Sequence, residues 1–190
     1  VAVAAGPGSF SGLPIGSATA KGLGLALDKP LVHVPTVDAL AYNLYGTDRI
    51  ICPLMDARRN QVYTGIYEFR DNQLSVIEPQ MAVGIGVIAE KLCALGREVI
   101  FLGDGVPVFR DVLTEKLMKG IPFSFAPAHL NKQRAGAVAA LAVSYVRAGR
   151  IETAAEHRPD YLRPSQAERE RAEKEARARQ EEKSAQGKPD

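Results

Sequence analysis

Residues with very small side chains recur at every fourth position along one predicted helix. They are Gly12, Gly16, Ala20 and Gly24, and the helix predicted around them spans residues 13–27. Each glycine inside a helix costs about 1 kcal/mol relative to alanine, so close packing must offset the loss. Residues four apart lie on one side of a helix, which lets a neighbour approach closely there. That neighbour is either this protein's own sheet or a helix of another protein, and the pattern leaves both open.

The loop before this helix, GPGSFSG, is rich in glycine and serine. Gly6, Gly8 and Gly12 allow backbone N–H groups to approach an anion, and Ser9 or Ser11 can cap the helix. However, the loop lacks the Gly-Lys-Ser/Thr ending of a P-loop, and its glycines do not match the dinucleotide spacing GxGxxG. The spacing therefore favours a plain strand–helix turn, with Ser11 as the N-cap and a proline in the first helical turn.

The rest of the chain alternates short apolar strands with helices. Strands are predicted at residues 1–5, 31–34, 49–56, 61–69, 74–77, 99–102 and 122–125. Further helices are predicted at 37–45, with Thr36 as N-cap, and near 86–95, 108–118 and 132–148. The ARRN segment between two β-branched runs predicts a hairpin turn. Crossover units combined with a hairpin indicate an α/β fold with a mixed sheet.

The composition changes after Pro164, where SQAERERAEKEARARQEEKSAQGKPD has almost no large apolar residue. Its acidic and basic residues alternate and are spaced for a solvated helix up to about Lys183, with a disordered end at 187–190. A nucleic-acid-binding tail is disfavoured because acids and bases balance there, and the whole chain carries a net charge of only +2. We predict an N-terminal lobe at 1–48, a C-terminal lobe at 49–163 and a solubilising tail at 164–190.

The residues that most often bind metals are scattered along the chain. His33, His129 and His157 are far apart in sequence, and neither a CxxC nor an HExxH motif occurs. Cys52 and Cys93 lie in apolar segments, where small buried hydrophobes are the usual role of cysteine. We therefore predict no metal site.

Two aspartates beside predicted turns, Asp56 and Asp104, are the best candidate catalytic acids. Carboxylates in solvated turns are nevertheless far commoner than catalytic ones. No nucleophile–base pair occurs at a recognisable spacing. No apolar run is long and unbroken enough to span a bilayer, and we predict a cytoplasmic protein.

Five stretches together resemble the TsaB (YeaZ) family. The first, GPGSFSGLPIGSATAKGLGLAL, is similar to the family's usual Gly-Pro-Gly-Ser-Phe-Thr-Gly-Leu-Arg-Ile-Gly, with Ser11 in place of threonine and Pro14 in place of arginine. The loss of that arginine weakens the case for an anion site. The other stretches are VPTVDALA (34–41), MDARRNQVYTGIYEF (55–69), LGDG (102–105) and RPDYLRPSQAER (158–169). The resemblance covers most of residues 1–169.

This resemblance implies the actin-like, Hsp70-like and sugar-kinase-like (ASKHA, ribonuclease H-like) α/β fold with mixed sheets. Family members act with TsaD and TsaE to place a threonylcarbamoyl group on N6 of the adenosine beside the tRNA anticodon. The resemblance further implies a non-catalytic subunit without a cofactor of its own, with ATP and a metal in the partner subunits. Contact with tRNA is implied only through the complex.

The resemblance also implies that the helix after GPGSF contributes to a helical bundle with TsaD or with a second copy of the chain. The implied interface residues are Gly12, Leu13, Gly16, Ala20, Leu23, Gly24 and Leu27. Gly6, Gly8, Ser9 and Ser11 form a candidate loop beside an anion or nucleotide. Two other classes stay open: an actin-like ATPase or kinase, and a glycoprotease-type peptidase.

Family members begin with a β-hairpin, a third strand and a helix ahead of the strand predicted here at residues 1–5. We therefore expect further sequence upstream of Val1, so that the first lobe is truncated here. Without that segment, the edge of the first strand is expected to promote aggregation or fast amide exchange in residues 1–45. Residues 49–150 are expected to be better protected.

Overall fold

The apolar, β-branched runs of the sequence form strands in two sheets. The structure is a computed structural model that describes residues 1–162. Its strands are β1 (Ala2–Gly6), β2 (Val32–Pro35), β3 (Ile50–Asp56), β4 (Gln61–Arg70), β5 (Gln73–Gly84), β6 (Val99–Leu102) and β7 (Phe123–Phe125). The predicted tail at 164–190 lies outside the described residues.

The smaller sheet pairs β1 with β2 in parallel, and the larger sheet has the order β5-β4-β3-β6-β7. β4 is antiparallel to both β3 and β5, whereas β6 is parallel to both β3 and β7. The larger sheet is therefore mixed, as predicted, and the ARRN segment is the β3–β4 turn. Three successive residues of that turn, Arg58, Arg59 and Asn60, have positive φ angles of 62°, 54° and 59°.

The helices are α1 (Gly12–Leu27), α2 (Thr36–Ala41), α3 (Ile85–Leu95), α4 (Val106–Val112) and α5 (Ala135–Arg147). Helix α2 covers one face of the larger sheet, and α3 and α4 cover the other, which explains why β3 is an almost unbroken apolar run. Alternate residues of β3 enter different cores: Cys52 and Leu54 pack with α3 and α4, and Ile51 packs with α2. Helix α5 packs against β2 of the smaller sheet through Leu141 and Tyr145.

The inner side of α1 consists of small residues, because it lies close to the strands of the smaller sheet. Its buried residues are Ser17, Ala20 and Gly24. Ala20 packs with Val3 and Leu31. A Cβ added at Gly24 would lie 2.4 Å from Cδ1 of Leu31 and 3.0 Å from the Lys29 carbonyl oxygen. This close approach offsets part of the glycine cost.

The predicted N-cap position is confirmed for α1 and wrong for α2. Ser11 occupies the N-cap position of α1 but makes no capping hydrogen bond through its side chain. The other predicted capping candidate, the Ser9 hydroxyl, accepts a 3.2 Å hydrogen bond from the Gly12 N–H. Thr36 is the first residue of α2, after Pro35 as N-cap. Its hydroxyl accepts a 3.2 Å hydrogen bond from the Gly6 N–H and thereby joins α2 to the end of β1.

Several element boundaries also differ from the sequence predictions. β5 continues past residue 77 to Gly84 despite Pro79, since an edge strand tolerates a missing N–H donor and the ladder is irregular nearby. The helix predicted at 108–118 ends as α4 at Val112 and continues as a π-helical turn, Leu113–Leu117. The helix predicted at 37–45 ends at Ala41 and is followed by a 3-10 turn, Tyr42–Leu44. α5 begins at Ala135, because Arg134 is extended.

Contacts group Val1–Asp160 into one compact unit. The predicted lobe boundary at residues 48 and 49 stays a prediction. Helix α5 follows that boundary in sequence yet packs on β2, which precedes it. The chain therefore returns to the smaller sheet after completing the larger one.

Candidate functional site

A cleft of about 680 Å³ lies between the loop before α1 and two turns of the larger sheet. One wall is the loop and the start of α1, including Gly8, Ser9 and Gly16. The opposite wall carries the polar side chains Asp56, Arg58, Tyr63 and Asp104. The structure thus brings together the glycine–serine loop and both candidate acids, which the sequence identified separately.

The base of the loop requires glycine at position 6. Gly6 has a φ of +119°, and a Cβ there would lie 2.3 Å from the Asp160 carbonyl oxygen. The Asp160 N–H also donates a 2.6 Å hydrogen bond to the carbonyl of Ala5. The Gly6–Pro7 peptide bond is cis. The loop therefore leaves β1 through a tight turn held against the segment that ends at Asp160.

The serine hydroxyls of the loop are directed at the helix start and at each other. Ser9 Oγ accepts from the Gly12 N–H and lies 3.3 Å from Ser11 Oγ. Neither contact is with a base that could activate a nucleophile. Gly8 and Ser9 line the cleft, whereas Gly6 lies below it. These contacts fit a helix-capping turn.

The two aspartates of the other wall organise their turns. Asp104 Oδ1 accepts a 3.2 Å hydrogen bond from the Asp56 N–H. Asp56 Oδ1 accepts a 2.8 Å hydrogen bond from the Arg58 N–H, and Asp56 Oδ2 lies 3.0 Å from Nη1 of Arg58. Both carboxylate oxygens of Asp56 are therefore engaged by one residue. The Arg58 side chain is 86% exposed, so its guanidinium is available to a ligand or partner.

The LGDG turn holds Asp104 at the cleft by packing directly on the β3 backbone. Gly103 has a φ of +117°, and a Cβ there would lie 2.1 Å from the Leu54 carbonyl oxygen. The Gly105 N–H donates a 2.9 Å hydrogen bond to that oxygen, and the Gly103 N–H donates to Asn131 Oδ1 at 3.0 Å. Arg58 and Tyr63 were missed as cleft residues by the sequence analysis, although Arg58 lies in the ARRN turn that it identified.

The row of small residues on α1 is not one continuous surface, and this part of the prediction is wrong. Ala20 and Gly24 are buried against the protein's own strands, whereas Gly12 and Gly16 are exposed. The physical reason is that four residues advance a helix by more than a full turn, so the row rotates by about 40° at each step. Leu23 and Leu27 are exposed, and Leu13 is half-buried.

The outer face of α1 is unusually apolar. Ile15, which the sequence analysis did not select, is 67% exposed, Leu23 is 48% exposed and Leu27 is 59% exposed. Helical geometry places these three on one side together with Gly12, Gly16 and Thr19. We call these six residues the outer face of α1. Its large side chains point to solvent while the inner side carries small ones, the reverse of an ordinary surface helix.

Two of the three histidines are close in space, which corrects the view that none of them pair. The ring centroids of His33 and His157 are 5.7 Å apart. Glu152 lies with them: their candidate ligand atoms are all within 4.8 Å of one another. Residues on β2 and near residue 155 are distant in sequence, so only the tertiary fold places them together.

The thiol of Cys52 is not activated. Burial raises the pKa of the Cys52 thiol to about 12, and its sulfur lies 3.4 Å from the Thr64 hydroxyl. Cys93 is half-buried and contacts the Leu117 carbonyl at 3.6 Å. In the described part of the chain, no helix is both long enough and apolar enough to cross a membrane.

Comparison with solved structures shows that the chain has the actin-like (ASKHA-type) α/β fold of the YeaZ structures. YeaZ from Pseudomonas aeruginosa superposes with a TM-score of 0.68 at 23% identity, over 84% of this chain and 73% of that chain. A second structure, of an uncharacterized protein with similarity to peptidase YEAZ from Pseudomonas aeruginosa, gives a TM-score of 0.69 at 23% identity. It covers 85% of this chain and 72% of the other.

Sequence comparison identifies the family. The model of the family described as TsaD, tRNA N6-adenosine threonylcarbamoyltransferase, matches residues 1–171. TsaB of Bacillus subtilis is 34% identical over 171 residues, covering 88% of this chain and 71% of that protein. TsaB of Escherichia coli is 28% identical over 117 residues, covering 56% and 48%. The chain belongs to the TsaB (YeaZ) family, whose named members are tRNA threonylcarbamoyladenosine biosynthesis proteins, and the predicted resemblance and fold class are confirmed.

Proposed function

We propose that this protein is a non-catalytic subunit of the machinery that makes threonylcarbamoyladenosine in tRNA. Its role is to bind a TsaD-type subunit, acting together with TsaE, through the outer face of α1. ATP and a catalytic metal belong to the partner subunits, and tRNA is contacted through the complex. A homodimer through the same face is the alternative arrangement in the absence of the partner.

The observation that carries this proposal is the inverted pattern of α1. Ile15, Leu23 and Leu27 expose large apolar side chains on a helix whose inner side is already packed. Exposed apolar surface of this kind is typical of a protein–protein contact. A Cβ at Gly16 would meet nothing within 4 Å, so a facing helix can approach closely there.

The chemistry of the cleft supports a non-catalytic role. Asp56 has both oxygens bound by Arg58, and Ser9 caps a helix. Away from the cleft, the thiol of Cys52 is buried in the core and protonated at neutral pH, since its pKa is raised to about 12. These groups are stabilised in structural roles, and none is poised as an activated nucleophile.

A reconstitution with purified subunits tests the proposal. Substrate tRNA and threonylcarbamoyl-adenylate are incubated with this protein alone, with TsaD and TsaE alone, and with all three. We expect the modified nucleoside in quantity only from the complete mixture. Robust modification by this protein alone would overturn the non-catalytic assignment.

The contact surface is tested separately with a matched pair of variants. Gly16→Leu places a large side chain on the outer face of α1, and it should abolish TsaD binding in size-exclusion chromatography and remove activity in the mixture. Gly136→Leu is the control, because Gly136 is also an exposed helical glycine with open space around its Cβ. Normal binding by folded Gly16→Leu protein contradicts the proposed surface.

A further inference from the structure

Four ionisable side chains from two distant segments meet beside the smaller sheet. His33 is on β2, and Glu152, His157 and Asp160 belong to the segment that follows α5. His33 Nε2 lies 2.9 Å from Asp160 Oδ2, and His33 Nδ1 lies 3.7 Å from Glu152 Oε1. His157 Nδ1 lies 2.6 Å from the same Glu152 oxygen. Both histidines therefore converge on one carboxylate.

The carboxylate of Asp160 determines which nitrogen of His33 carries the proton. With Asp160 accepting the Nε2–H, the neutral ring of His33 leaves Nδ1 unprotonated on the Glu152 side. Asp160 is itself held by Gln80 of β5, whose amide donates a 3.2 Å hydrogen bond to the same oxygen. A carboxylate that orients a histidine in this way is a recurrent feature of metal sites.

The second histidine has an unused ring nitrogen. The side chain of His157 is fully buried, and among the described residues its Nε2 has no hydrogen-bond partner. A buried polar atom without a partner carries a desolvation cost that buried polar groups usually avoid. The other ring nitrogen, Nδ1, already lies beside Glu152 and is the one that faces an ion bound there.

We propose that His33, Glu152 and His157 bind a transition-metal ion of the Zn²⁺ type, with Asp160 and Gln80 orienting His33. Two imidazoles and one carboxylate form a known zinc ligand set that leaves a fourth position for water or another ligand. The three ligand atoms lie within 4.8 Å of one another, and tetrahedral zinc needs about 3.3 Å, so their separations must change by up to about 1.5 Å to complete the site. Nitrogen ligands disfavour Mg²⁺ and Ca²⁺, which prefer oxygen.

An ion here would connect the segment 152–160 to β2. The segment already forms a two-hydrogen-bond bridge with the residue just before β2, because Leu31 and Glu152 exchange N–H···O bonds of 2.8 and 3.0 Å. At its end, Asp160 bonds to Ala5 and supports the turn at Gly6. The ion therefore stabilises the position from which the glycine–serine loop leaves β1. This replaces the expectation, drawn from scattered histidines, that the chain has no metal site.

The proposal is tested by titrating chelator-treated, tag-free protein with Co²⁺ and with Zn²⁺. We expect one equivalent of Co²⁺ to give the visible absorption bands of a tetrahedral nitrogen–oxygen site, and Zn²⁺ to displace them. Millimolar Mg²⁺ should not displace the Co²⁺ bands. Absence of the bands together with no stoichiometric Zn²⁺ binding would overturn the proposal.

Variants identify the ligands. His33→Gln and His157→Gln should each abolish the Co²⁺ bands, and Asp160→Asn should weaken binding by about 10- to 100-fold. His129→Gln is the matched control, because the exposed His129 lies outside the cluster. Unchanged binding in both His33→Gln and His157→Gln, or equal loss in His129→Gln, contradicts the assignment.

A measurement on the unmodified protein covers the case in which a variant does not fold. Addition of Zn²⁺ should shift the imidazole resonances of two histidines in the NMR spectrum and leave that of the third, His129, in place. A shift of the His129 resonance alone, or of none, contradicts the site.

Discussion

The phenol of Tyr145 on α5 donates a 2.9 Å hydrogen bond to Oδ2 of Asp38 on α2, although the two residues are 107 positions apart. Tyr67 on β4 donates a 2.8 Å hydrogen bond to the other oxygen, Oδ1. The buried carboxylate of Asp38 thus joins α5, which packs on the smaller sheet, to β4 of the larger sheet. Burial raises the pKa of Asp38, and the two phenol hydrogen bonds oppose this rise by stabilising the ionised form.

Removal of one of these donors should destabilise the fold. Tyr145→Phe leaves Asp38 Oδ2 without its phenol donor, at an expected cost of about 1–3 kcal/mol in the free energy of unfolding. The guanidinium carbon of Arg150 lies 3.6 Å from the centroid of the Tyr145 ring. Phenylalanine keeps this ring, so the contact is retained in the variant. Urea denaturation measures the effect. Tyr45→Phe, on an exposed tyrosine, should change stability by less than about 0.5 kcal/mol, and an equal loss in both variants would contradict the role of Asp38.

Glu68 should make stability depend on pH. Hydrogen bonding to Arg97 and Arg70 holds the pKa of the nearly buried Glu68 below its ordinary value, although burial opposes the shift. A lowered pKa in the folded state means that the stabilisation is present above the unfolded value of about 4.3 and is lost as the pH falls through the folded value.

We therefore expect Glu68→Gln to lower the free energy of unfolding by roughly 1–2 kcal/mol at pH 7, since both arginines are partly exposed to solvent. The difference from the unmodified protein should shrink as the pH falls below the folded-state pKa of Glu68. Urea denaturation at pH 7 and in acid measures this, with Glu90→Gln on an exposed residue as the control. A difference that stays constant with pH would rule out this account.

The same substitution at two glycines of α1 should have opposite effects. Gly16→Ala should stabilise the protein by about 0.5–1 kcal/mol, because its Cβ meets open space and alanine favours helix. Gly24→Ala should destabilise it by about 1–3 kcal/mol, because the Cβ meets the buried Leu31 and the Lys29 carbonyl. Thermal unfolding compares the two variants. Similar changes at both positions would show that the inner side of α1 is not tightly packed.

Local patterns predicted much of the fold because they depend on neighbours in sequence. β6 was predicted with its observed ends, β3 and β4 to within a residue, from apolar β-branched runs, and the ARRN turn was predicted from its position between two of them. β5 was predicted too short because Pro79 interrupts its pattern, whereas an edge strand tolerates the residue. The N-cap position of α1 was predicted correctly, whereas α2 begins one residue earlier than predicted and the Thr36 hydroxyl bonds to the distant Gly6 N–H.

The sequence alone was sufficient for the family, the alternation of strands and helices, the glycine-rich turns and the two aspartates beside turns. These follow from residue type, spacing and local backbone preference. Only the tertiary structure decided which side of α1 is buried, that Asp38 meets Tyr67 and Tyr145, and that His33 meets Asp160 127 positions later. Such contacts depend on how the sheets pack and on which loops close, and no local preference of the chain specifies them.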